Sequence, residues 1–165
     1  MPTAHEPLFD ADQAAFMQRG ISLNLGSCGP GLQPSVARAV GCRISADRRT
    51  VRMLVSATQA AALIADVGQG GALAAVFSEP STHRTLQLKG HDPVVETATA
   101  GDLAAVARYR DGFVEELRPL GYPPALILAL LACPDSDIVA LCFTPCAAFS
   151  QTPGPDAGCA LRAGA

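Results

Sequence analysis

Residues 77–90, FSEPSTHRTLQLKG, concentrate donors and positive charge in a chain that is mostly Ala, Leu, Val and Gly. The hydroxyls of Ser81 and Thr82, the imidazole of His83, the guanidinium of Arg84, the amide of Gln87 and the ammonium of Lys89 fall within nine residues. Such a set suits a surface connector that meets water, or a site for an anionic ligand, since guanidinium and hydroxyl donors match phosphate and carboxylate oxygens. His83 beside a turn reads more simply as a surface or capping residue than as a catalyst. His83, His91 and Asp92 are of metal-ligating type, but nothing in their spacing sets three ligands on rigid elements.

Arg38 is the other informative residue. In PSVARAVGCRI, 34–44, alternation places Val36, Val40, Cys42 and Ile44 on one face with Arg38 in their midst. A charge on an apolar face is costly unless paired and hydrogen-bonded. Its partner is an internal carboxylate, a second subunit or a bound phosphate in fork geometry. The alternative is an edge strand from which the side chain snorkels to water.

Other chemistries lack their patterns. No GxSxG elbow occurs, and Asp135 and Asp137 in CPDSD read as a turn and strand start. The glycines of GQGG, 68–71, follow a helix and precede a strand. A phosphate-cradling loop has the opposite order, so they read as a helix C-cap and turn. Cysteines 28, 42, 133, 142, 146 and 159 form no CxxC and read as unpaired thiols of a reducing compartment.

The elements that position these residues follow from periodicity. ISLNLGS, 21–27, alternates as a half-buried strand, and the segment 34–44 is a second. ADRR turns the chain into a third, TVRMLVS, 50–56. Ser56-x-x-Gln59 has the form of a capping box for a helix carrying Leu63, Ile64 and Val67. ALAAVFS, 72–78, suits a strand buried on both faces. TLQLKG follows with Thr85, Gln87 and Lys89 on one side and Leu86 and Leu88 on the other. A strand at 92–99 ends at Thr99, which can cap a helix over about 100–118. A short apolar helix, about 123–132, and a last strand, 137–149, precede a loose Gly/Pro/Ala tail, 150–165. Layer rules make this mainly β with α, an antiparallel barrel with packed helices.

A chain of 165 residues, 49% apolar and 16% charged, fits one compact domain, 1–165. The net charge of −3 with scattered basic residues and no Trp argues against nucleic acid, which wants a basic stripe with stacking aromatics. The N-terminal MPTAHEPLFDADQ lacks the form of a signal peptide. The longest apolar run, PALILALLAC, is about half a bilayer span. No membrane partner is expected, and the expected location is cytoplasmic.

Three landmarks, PSVARAVGCRI, TVRMLVSATQ and VFSEPSTHRTLQLKG, in that order across about residues 20–97, resemble the pyridoxamine 5′-phosphate oxidase-like group of FMN-binding split barrels. The resemblance implies a six-stranded antiparallel split β-barrel of Greek-key type and a homodimer with its cofactor site between subunits. Arg38 would meet the flavin phosphate, and Ser56 would lie where the backbone passes the isoalloxazine. His83, Arg84, Gln87 and Lys89 would belong to the strand–turn–strand that walls the site. Members that bind FMN tightly often grip its phosphate with a Ser-Arg/Lys pair at the helix start. Here Ala57-Thr58-Gln59-Ala60-Ala61 offers hydroxyl and amide donors without charge. That implies weak or altered FMN binding unless Arg38, Arg43 and Arg52 compensate. The expected function is an FMN-dependent oxidoreductase acting on a small-molecule substrate of unassigned identity. The alternatives are a non-enzymatic flavin or haem carrier or sensor, with His83 or His91 on iron, and a dimerising module without cofactor.

Overall fold

The computed structural model describes residues 6–161. Residues 1–5 and 162–165, the extremes of the polar N-terminal stretch and of the tail, lie outside the described residues. In chain order the elements are α1 (Ala11–Met17), β1 (Ser22–Cys28), β2 (Pro34–Arg38), β3 (Gly41–Ile44), β4 (Val51–Ser56) and α2 (Ala61–Gly68). There follow β5 (Leu73–Ser78), β6 (Thr85–Gly90), β7 (Val94–Thr97), α3 (Ala100–Leu117), α4 (Pro124–Leu130), β8 (Ile138–Phe143) and β9 (Pro145–Ser150).

These strands form two antiparallel sheets, ordered β2-β1-β5-β6-β9 and β3-β4-β8-β7. The expectation of six strands is thereby corrected to nine, and among the described residues neither sheet closes into a barrel. Two segments that alternate as single strands are each divided between the sheets. Within 34–44 the Ala39 amide donates to Leu23 in the first sheet, at 3.0 Å, and the next amide, Val40, donates to Leu54 in the second, at 2.7 Å. Within 137–149, Phe143 pairs with Val51 while Pro145 pairs with Gly90. A strand that changes sheets keeps its period of two, so alternation alone does not reveal the corner.

The expectation for 72–78 is also corrected. Leu73, Ala75 and Phe77 are buried, whereas Ala74, Val76 and Ser78 are only half-buried. With Leu23, Leu25, Leu86 and Leu88 the buried set joins Met53, Val55 and Leu141 of the second sheet in one hydrophobic core. The opposite face of the first sheet remains open.

Helix α3 lies against β3, burying Ala105, Val106, Tyr109 and Phe113. Its start is fixed by a capping box, with the Asp102 amide donating to Thr99 Oγ1 at 3.2 Å and the Thr99 amide donating to Asp102 Oδ2 at 2.8 Å. The Tyr109 hydroxyl donates to the Ile21 carbonyl at 2.8 Å. Nearby, a Cβ on Gly20 would lie 2.2 Å from the Gly112 backbone, so these glycines permit the contact between α3 and the turn before β1. Gly70, in the GQGG turn, takes the left-handed φ of 86° expected of a cap glycine.

The box expected at Ser56-x-x-Gln59 forms only by half. The Gln59 amide donates to Ser56 Oγ at 3.1 Å, but the Gln59 side chain turns away to the Ala132 carbonyl, and α2 begins later, after Ala60.

Candidate functional site

Strand register assembles the open face of the first sheet. Arg38 lies beside Asn24, Asn24 beside Val76, Val76 beside Gln87 and Gln87 beside Phe149, one cross-strand row over all five strands. At about 4.8 Å per strand, Arg38 and Gln87 stand roughly 14 Å apart. The adjacent row is Val36, Gly26, Ala74, Lys89 and Ala147. Small residues hollow this second row into a cavity of about 550 Å³, with Val36, Lys89, His91 and Cys146 among its walls. Lys89 Nζ lies 5.4 Å from the centre of the Phe149 ring, and Gln151 Nε2 donates to Gln87 Oε1 at 3.3 Å. Val36, at 74% exposure, marks an uncovered apolar surface.

Arg38 thus differs from its expected setting. It shares a face with Val36 alone, because Val40, Cys42 and Ile44 belong to the stretch that has crossed to the second sheet. The core-facing neighbour on β2 is Ala37. One terminal nitrogen of the Arg38 guanidinium is nevertheless buried and has no hydrogen-bond partner among the described residues. Burial raises the Tyr109 phenol above its ordinary range, and the Arg38 guanidinium beside it offsets part of that rise through its charge and through hydrogen bonding to the phenol oxygen. A buried, unpartnered guanidinium nitrogen is costly to leave so, and an acceptor, neutral or anionic, would satisfy it.

The other arginines expected to compensate at the phosphate are engaged. Asp102, fully buried, accepts from Arg43 at 2.9 Å and from Arg52 at 2.8 and 3.2 Å. Arg52 also pairs with Glu96 and lies 3.1 Å from Cys142 Sγ. Burial alone would raise the Asp102 carboxyl, but bonds from Arg52, the Thr99 amide and Arg43 outweigh it and hold the group well below the usual range.

Residues 56–59 are engaged too. Ser56, buried, donates to the Asp137 carboxylate. Thr58 donates to the same carboxylate through Oγ1 at 2.8 Å and through its amide at 3.2 Å. The Ala57 amide donates to the Asp137 carbonyl at 2.7 Å. The donors of 56–59 therefore do not fit an incoming phosphate as they stand.

The connector 79–84 is anchored to helices. Glu79, buried, accepts from Arg19 at 2.7 Å and from Thr82 Oγ1 at 2.6 Å, and the Ser81 amide donates to Glu116 at 2.9 Å. His83 is exposed with φ of 62°, its amide bonded to the Glu79 carbonyl. The Arg84 guanidinium lies 4.2 Å over the Phe16 ring. Alternation puts it on the side of Leu86 and Leu88, away from Gln87 and Lys89.

The structure therefore brings Arg38, Gln87 and Lys89 to one face, and leaves Ser56, Gln59, His83 and Arg84 elsewhere. Asn24, Val76, Phe149 and Gln151 complete that face and escaped the sequence reading, since only strand pairing connects them. Asp137 escaped as well, as a turn residue 81 positions from Ser56. Among the described residues, no three His, Cys, Asp or Glu converge as a metal site. No helix there is long and apolar enough to cross a membrane.

No family model matches the sequence, and no curated protein matches it either. Solved structures do. An F420 reductase aligns with a TM-score of 0.54 at 18% identity, covering 90% of this chain and 98% of its own. HupZ of Group A Streptococcus aligns at 0.55 and 11%, with the same coverage. A pyridoxamine 5′-phosphate oxidase-related, FMN binding protein of Nostoc punctiforme aligns with a TM-score of 0.46 at 16% identity, covering 83% of this chain and 77% of its own. The likeness is one of fold.

Proposed function

We propose that this chain is a homodimeric flavin-binding oxidoreductase, with FMN as the cofactor that the resemblance implies. The carrying observation is the open face of the first sheet. There Val36, Val76 and Phe149 offer apolar area for a flat ring and a second copy, Asn24 and Gln87 offer amides, and Arg38 ends the row with an unsatisfied buried nitrogen. A flavin would supply the two-electron chemistry. Arg38 would bind its anionic end, and Gln87 and Asn24 would orient polar ring atoms. Lys89, 5.4 Å from the Phe149 ring centre, would place a positive charge at the rim.

The test is the visible spectrum of the purified protein together with its mass in solution. Flavin bands bleached by dithionite or NAD(P)H, in a particle of twice the chain mass, support the proposal. A colourless protein that stays colourless with added FMN overturns it. A non-enzymatic carrier or dimerising module is the second reading, favoured by the engagement of Ser56, Thr58, Arg43 and Arg52 within the chain. A haem carrier would show a Soret band instead, lost on substitution of His83 or His91.

A further inference from the structure

We propose that Asp137 is an internal anion that fills the donor set at the strand-to-helix turn 56–58 and so selects against ligands that present a phosphate there. This rests on the flavin proposal only for the identity of the ligand. The donors are the Ser56 hydroxyl, the Thr58 hydroxyl at 2.8 Å and the Thr58 amide at 3.2 Å, all directed at one carboxylate. Two hydroxyls and an amide converging on an oxyanion are the chemistry by which a turn holds a phosphate. Here the oxyanion belongs to the chain. The turn is tied to it a second time, through the Ala57 amide and the Asp137 carbonyl at 2.7 Å. Tethering gives the carboxylate a high effective concentration, so an external anion must displace it and then meet its charge.

The same hydrogen bonds, from Ser56 first and then Thr58, hold the Asp137 carboxyl below the usual carboxylate range, so it is ionised at neutral pH. A surface cavity of about 320 Å³ adjoins the turn, lined by Ser56, Thr58, Gln59, Cys133, Pro134 and Asp137. Removing the carboxylate would leave the three donors facing that space. The absence of Arg or Lys from 57–61 fits the assignment, because a cation there would pair with Asp137.

Asp137→Ala and Asp137→Ser vacate the position, the second keeping a hydroxyl for Thr58 should the first fail to fold. The first readout needs no flavin: the melting temperature in inorganic phosphate against chloride at matched ionic strength. The variants should gain about 3–6 °C at phosphate tenfold above its Kd, while the native chain should gain nothing. The second readout is isothermal titration of inorganic phosphate into each chain, which should show saturable binding in the variants and none in the native chain. A native chain stabilised by phosphate as much as the variants, or variants that do not respond, overturns the proposal. If the variants gain the phosphate response but no chain binds flavin, Asp137 stands and the flavin proposal falls. If flavin binds every chain and the variants show no phosphate response, the reverse holds.

Discussion

Replacing Asp102 by Ala should be among the most damaging single changes to stability. The carboxylate is fully buried, accepts two arginines and closes the capping box of an eighteen-residue helix. Loss of the cap costs about 1 kcal/mol. Breaking a buried ion pair by removing one partner costs about 3–5 kcal/mol, because the remaining charge is stranded. That figure needs discounting here. The Arg43 side chain is 42% exposed and can turn to water, and Arg52 retains Glu96. A net loss of about 3 kcal/mol is expected, and at this chain length it corresponds to a fall in melting temperature of about 6–12 °C. Asp102→Asn, which keeps an acceptor for the Thr99 amide, should lose roughly half as much.

Calorimetry and urea titration of the native chain and both variants measure this directly. The pH dependence gives an independent reading. Asp102 titrates lower in the folded chain than in the unfolded one, so its contribution is complete above the unfolded value near pH 4. It is then lost as pH falls towards the folded value. The native chain should therefore lose stability below about pH 4 more steeply than Asp102→Ala. A variant within 2 °C of the native melting temperature, or acid profiles that run parallel, would refute the assignment of Asp102 as the electrostatic anchor of α3.

Other expectations follow from single contacts. Arg38→Ala should weaken FMN binding about ten- to a hundredfold, as for one charge-assisted contact, and unchanged affinity by fluorescence titration would make Arg38 structural. Val36→Asp, at a 74% exposed site, should leave the monomer's circular dichroism intact but lower the mass seen by analytical ultracentrifugation; a dimer that survives would move the interface off this face. Gly20→Ala would drive a Cβ into the Gly112 backbone and should cost several kcal/mol in denaturant titration. Cys146 and Cys159 are exposed and should be alkylated at pH 8 in the native state. Burial pushes the Cys142 thiol up to about 11, so it should react only after unfolding.

Much of the fold was legible in the sequence because local rules agree with the tertiary structure there. Thr99 caps the helix that begins at Ala100, the glycines of 68–71 end α2, and TLQLKG buries Leu86 and Leu88 as its alternation requires. What was not legible depends on which strands pair. Segments 34–44 and 137–149 alternate without interruption, yet each changes sheets, so the seven strand segments read from periodicity become nine strands among the described residues. The half-made box at Ser56 fails for a related reason. Ser56 remains in β4, paired with Ile138, and the Gln59 side chain is taken by the Ala132 carbonyl, a partner that no spacing rule reaches over 73 residues to find.

The same contrast governs the site. Arginine was the residue type expected to mark a ligand, but most of the arginines whose contacts are described serve the fold. Arg43 and Arg52 neutralise Asp102, Arg19 neutralises Glu79, Arg84 covers Phe16, and Arg110 holds the carbonyls of Leu131 and Cys133. Each of these has a partner that would have to be stripped before a ligand could use it. Arg110 also keeps one buried nitrogen without a partner, but its terminal nitrogens are engaged, whereas in Arg38 a terminal nitrogen is the unpartnered one, at the end of a row that includes Gln87. The stretch FSEPSTHRTLQLKG therefore divides in function. Its first half ties the sheet to α1 through Arg84, to the turn after α1 through Glu79 and to α3 through Ser81, and its second half presents Gln87 and Lys89 to the open face. A positive charge in that stretch carries information about a ligand only beyond Thr85, where the strand turns alternate side chains away from the core.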